Sequence, residues 1–124
     1  MFELKTLYSR RDIHEQVGGS LQSYLPTVEG QVVCACLRTD TNPDAPEIIL
    51  VGSGPIIQQS ADALLSQRSV IPVFLRREAA KWEFVGHFRV DRASDDSDER
   101  TEYGRRAEWD RPPALVLHMS RITP

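Results

Sequence analysis

The chain predicts an α+β domain: a small mixed, partly closed β-barrel of about five strands with two short helices at its rim. Three observations carry this expectation. First, Trp82, Phe84, Gly86, Phe88 and Val90 recur at a spacing of two, with Glu83, His87, Arg89 and Asp91 between them, the pattern of a half-buried strand. Its partner, Val70 to Arg77, is apolar until Arg76, so both of its faces should be covered. Second, strands and helices do not alternate as βαβ units, which argues against a doubly wound sheet. Third, Ala114 to Arg121 is apolar on both sides apart from His118 and Ser120, as befits a strand returning to the middle of the sheet.

The remaining elements follow in chain order. Ser9-Arg10-Arg11-Asp12 has the form of a capping box, so a helix should start here, with Ile13 and Val17 on one side and Gly18-Gly19 as its stop. Its exposed side would show Arg10, Arg11 and His14. Ser20 to Gly30 lacks periodicity and reads as a polar, aromatic loop suited to binding. Gln31 to Arg38 reads as a strand, Thr39 to Pro46 as a turn-rich loop around Asn42-Pro43-Asp44, and Glu47 to Val51 as a second strand. The glycine loop Gly52-Ser53-Gly54-Pro55 leads into a helix over Ile56 to Gln67, with Ile56, Ala63 and Leu64 on its inner face. After the hairpin, residues 93–111 read as a polar, acidic insertion closed by Pro112-Pro113.

At 124 residues the chain has the length of one domain, 1–124, and 40% apolar with 27% charged residues is the ordinary composition of a globular protein. Its longest apolar runs fall far short of the roughly 18 residues a membrane helix needs, and Met1 to Lys5 carries an acid and no apolar run of signal-peptide length. A cytoplasmic location without membrane association is the resulting expectation. The net charge is −3, but it is unevenly spread: Asp95, Asp96, Asp98, Glu99 and Glu102 crowd the insertion, while arginines gather around the hairpin.

Catalytic and metal chemistry find little support. Cys34 and Cys36 lie two apart on a strand, facing the same way, and read as buried free thiols; a lone C-x-C pair does not make a four-ligand zinc site. His14, His87 and His118 are dispersed, and the G-x-S-x-G elbow and the lysine of a nucleotide-binding loop are both missing. No cofactor, no metal and no catalytic residue is expected. What remains is a basic and aromatic set: Arg10, Arg11, His14, Gln22, Tyr24, Lys81 and Trp82 on one edge, with Ser53 in the glycine loop as a phosphate contact. Guanidinium groups hold phosphates, rings stack on bases and an amide reads a base edge, so this set suits nucleic acid. The competing expectation is a protein-interaction or regulatory module that binds a partner through the acidic 93–111 insertion and Trp109.

Tyr8 to Gly19 (YSRRDIHEQVGG), Gln22 to Pro26, Ile49 to Pro55 (ILVGSGP) and Ile71 to Val90 (IPVFLRREAAKWEFVGHFRV) resemble a family of small bacterial domains. These stand alone or ahead of HNH nuclease modules in restriction proteins that sense modified DNA, and they are similar to SRA and PUA-like barrels. The resemblance spans about residues 5 to 92, and the tail matches no such pattern. It implies a reader of modified bases in DNA that works by base flipping, has no nuclease centre of its own, and partners an HNH nuclease or a helicase. It assigns no pocket residues; those named above rest on their chemistry alone.

Overall fold

The computed structural model describes residues 1–123. The hairpin forms as the pattern requires: β6 (Ile71–Glu78) pairs antiparallel with β7 (Lys81–Ser94). Burial alternates along β7 from Trp82 to Phe88, yet these side chains do not share one face. Val73 pairs with Gly86 and Phe74 with Phe84, so Val85 is an extra residue, a bulge that reverses the parity of the strand. Trp82 and Phe84 therefore join Phe2, Ile13, Cys34, Cys36 and Phe74 in one core, while Phe88 joins Ile71, Val73 and Leu75 on the opposite face. Gly86 makes this possible. Its φ of +123° is one that side-chain-bearing residues rarely adopt, and a Cβ there would run into the Arg121 guanidinium, which donates to the Val85 carbonyl and lies 4.8 Å from the centre of the Phe88 ring.

β8 (Leu115–Ile122) lies between β7 and β5 (Ile48–Val51), antiparallel to both, and β4 (Ala35–Arg38) runs parallel to β6. The sheet order is β4-β6-β7-β8-β5, with β1 (Leu7–Tyr8) joining the start of β7 as a sixth strand. β2 (Thr27–Val28) and β3 (Gln31–Val32) form a separate two-stranded ribbon, so the single strand expected over Gln31 to Arg38 is broken. The sheet is mixed, as expected, but it does not close into a barrel. Its edge strands are satisfied by other groups. Along β4 the Cys36 N–H donates to Tyr24 O (2.8 Å), and just before it the Val33 N–H donates to Pro26 O (2.9 Å); along β5 the Leu50 N–H donates to Asn42 Oδ1 (2.8 Å). Donors occupied in this way are not available for the two edges to pair with each other.

Three helices cover the sheet, not two. α1 (Arg10–Val17) has its capping box: Ser9 Oγ accepts the Asp12 N–H and the Asp12 carboxylate accepts the Ser9 N–H, each at 3.0 Å. It buries Ile13 in the Trp82 and Phe84 core. α2 (Pro55–Gln67) buries Ala61 and Leu64 on the opposite face, but Ile56, expected to face inward, is 78% exposed. α3 (Ser97–Arg106) occupies most of the 93–111 stretch expected to be a loop. It lacks apolar periodicity and is held at its ends: Asp96 caps it, Asp98 and Glu99 sit in its first turn, and Arg105 and Arg106 sit in its last. Tyr103, Ala107 and Trp109 pack it over Ile48, Leu50 and Val116.

Glu99 is the polar anchor of α3. Its carboxylate is hydrogen-bonded by Ser94, meets His118 Nε2 and lies 3.3 Å from Arg92, and these contacts hold its pKa at about 2, below the ordinary 4.5. A carboxyl whose folded value is depressed contributes stability above its unfolded value and loses it as pH falls toward the folded one. Stability to thermal denaturation should therefore fall as pH drops from 4.5 to about 2, and Glu99→Gln should remove part of that dependence. Parallel pH curves for the two proteins would refute this role.

Candidate functional site

The failure of the sheet to close leaves a concavity. It lies between the β4 and β5 edges, roofed by the loop after α1 and by the start of α2, and consists of two joined chambers. The first, about 490 Å³, is walled by Tyr24, Ile57, Leu50 and Trp109; the second, about 350 Å³, by Arg10, Leu37, Arg38, Arg76 and Trp82. Gln22, Tyr24, Thr41 and Asn42 belong to both. Each chamber falls in the range of small-ligand clefts, roughly 300–1,000 Å³. No carboxylate lines either one among the described residues.

Local hydrogen bonds hold the walls. Arg10 Nη2 donates to Ser20 O and Ser23 O, both at 2.9 Å, and its guanidinium lies 5.2 Å from the centre of the Trp82 ring. Ser20 Oγ accepts the Gln22 and Ser23 N–H groups, folding the loop back on itself. The Tyr24 hydroxyl donates to Ile57 O, tying this loop to α2; burial first, then the nearby Asp62 carboxylate, raise its pKa and keep it protonated. Trp109 Nε1–H donates to Thr41 O at 2.8 Å, so the tryptophan expected to be exposed is half-buried as a cleft wall. Cys34 and Cys36 are buried free thiols with their sulfurs 4.0 Å apart; their hydrogen bond, the largest influence on each, raises the Cys34 pKa and lowers that of Cys36.

Of the residues singled out from the sequence, Arg10, Gln22, Tyr24 and Trp82 meet in this cleft. Two of them serve the scaffold. Arg10 fastens a loop, with Nη2 turned to two backbone carbonyls, and Trp82, only 7% exposed, is core and also borders the cleft. The other four lie outside the cleft lining. Arg11 is on the exposed side of α1, His14 Nδ1 bonds Gly19 O, Lys81 faces Glu78 at 3.5 Å, and Ser53 is exposed in the glycine loop. The sequence reading did not select Asn42, Thr41 or Arg76. Arg38 pairs with Asp40 and Arg77 with Glu83, which leaves Arg76 at the cleft mouth without a carboxylate partner among the described residues. Its one sequence signal was its place as the first charge after an apolar strand. Among the described residues no three His, Cys, Asp or Glu side chains cluster as a metal site, and no helix is long and apolar enough to cross a membrane.

A family model for the "Domain of unknown function (DUF6697)" matches residues 7–108. The chain belongs to this family. The DUF6697 match runs through α3, beyond the segment that carried the sequence resemblance. No curated protein matches the chain. Among solved structures, it is similar to the SRA domain of SUVH5 in its complex with hemi-methylated CG DNA, with a TM-score of 0.57 and 13% identity over all of this chain and 86% of that one. The DUF6697 domain therefore has an SRA-like fold.

Proposed function

We propose that this DUF6697 domain is a DNA-binding module that reads a modified base by drawing it out of the duplex into the cleft between β4 and β5, and that it performs no chemistry on that base. The observation that carries this reading is the cleft itself. Its aromatic walls offer stacking surfaces, its lining lacks carboxylates that would repel a phosphodiester, and the unpaired Arg76 stands at its mouth. Unstacking a base costs a few kcal/mol, which stacking and edge contacts in such a pocket offset. The fold it shares with a domain solved on hemi-methylated DNA supports the same reading. A nuclease partner would supply any strand cleavage, and a helicase partner any strand separation.

Fluorescence titration against labelled duplexes carrying unmodified, methylated, hydroxymethylated or glucosylated cytosine, at two salt concentrations, tests the proposal. One modified duplex is expected to bind more tightly than the unmodified one. Each phosphate neutralised adds about −0.9 to the slope of log K against log salt. With a net charge of −3 and few free cations at the cleft, a shallow slope of about −2 to −4 is expected. Equally negligible binding to all four duplexes would overturn the proposal.

A further inference from the structure

Asn42 is the only asparagine in the chain, and it is 7% exposed between the two chambers of the cleft. Its Oδ1 accepts the Leu50 N–H at 2.8 Å. Because a backbone N–H can only donate, this bond fixes the amide orientation: oxygen toward β5, Nδ2 on the other side. Nδ2 has no protein partner among the described residues, and no buried side-chain nitrogen or oxygen there is left unsatisfied, so Nδ2 must open onto the cleft. Several other polar wall groups are committed elsewhere, whereas the Gln22 amide and the Arg76 guanidinium line the cleft with no bond among the described residues that fixes their orientation. The Tyr24 hydroxyl donates to Ile57 O, Trp109 Nε1–H to Thr41 O, and Arg10 to Ser20 O and Ser23 O.

We infer that Asn42 is a specificity-determining residue of the cleft, presenting an N–H donor held in one orientation to a hydrogen-bond acceptor on the edge of the bound base. This rests on the reading of the cleft as a base pocket and assigns it a polarity. A ring nitrogen or carbonyl oxygen of the base faces Asn42, and an exocyclic amino group does not. A buried donor left unpaired is costly, so a ligand that offers no acceptor at this point is rejected.

Protein labelled with ¹⁵N only at asparagine has one side-chain amide signal pair, which makes Asn42 directly observable. Saturation with whichever of the four cytosine duplexes binds tightest should move one Nδ2 proton downfield. The same duplex with an abasic site at the target position should leave that proton in place. Asn42→Asp keeps the acceptor for the Leu50 N–H but exchanges the donor for an acceptor. It should reduce the preference for base over abasic duplex about tenfold or more, a ratio in which general repulsion of phosphate cancels. An unmoved Nδ2 signal in saturated wild-type protein, or an unchanged ratio in Asn42→Asp, would overturn the inference while leaving the DNA-reader proposal intact. If wild-type protein binds none of the duplexes, that proposal fails and the inference fails with it. The NMR arm uses unmutated protein and does not depend on the variant folding.

Discussion

Tyr24→Ala is expected to weaken binding of the preferred modified duplex by about 1–3 kcal/mol, roughly 5- to 150-fold in Kd, the usual value of one base–aromatic contact. Tyr24 belongs to both chambers, so its ring is a wall wherever a base enters. Its hydroxyl has a separate task, since it donates to Ile57 O and joins the loop after α1 to the start of α2. Tyr24→Phe removes that bond and keeps the ring. It should lower thermal stability by about 0.5–1.5 kcal/mol and change affinity for the duplex much less than the alanine variant does. If both variants lose affinity equally, the hydroxyl and its loop tether matter, and the ring is not a stacking surface.

The largest stability effect is expected at Phe74. This side chain is wholly buried on β6, with Phe2 edge-on at 4.7 Å and Phe84 at 5.4 Å between ring centres. Phe74→Ala should cost about 3–5 kcal/mol, the range for deleting a buried aromatic ring, against a total of about 5–15 kcal/mol for a domain. Urea unfolding should show a lower midpoint at an unchanged m-value. Because Phe74 lines neither chamber of the cleft, DNA affinity measured under folding conditions should be preserved. A loss below about 1 kcal/mol would mean that the second core tolerates collapse around the Val85 bulge.

Much of the scaffold was legible from local pattern. The β6–β7 hairpin, the Ser9 capping box and the interior position of β8 each follow from periodicity or from spacing within a few residues. α3 was missed because its signal is charge and capping, with Asp96 before it and opposed charges at its two ends, and not an apolar stripe. The Val85 bulge was missed because a one-residue insertion leaves the period-two sequence pattern unchanged while exchanging the faces it serves.

The candidate site was legible only in part, and for a related reason. Gln22 and Tyr24 stood out as polar and aromatic residues in an aperiodic loop, and both do line the cleft. Asn42 read as an ordinary turn residue before a proline, and Arg76 as the end of a strand. Nothing in their neighbours shows that one caps the β5 edge or that the other is left without an acid.

By itself the sequence determined the secondary elements with strong period or capping chemistry, the mixed α+β class, and the polar and aromatic character of the loop after α1, because these depend on groups a few residues apart. The tertiary structure alone decided that the sheet stays open, that Arg10 and Trp82 serve the scaffold, and that Asn42 presents a donor to the cleft. The physical reason is that these outcomes depend on which partner satisfies each hydrogen-bonding group. Those partners, Leu50 for Asn42, Ser20 and Ser23 for Arg10, and Tyr24 for the β4 edge, are brought together only by folding.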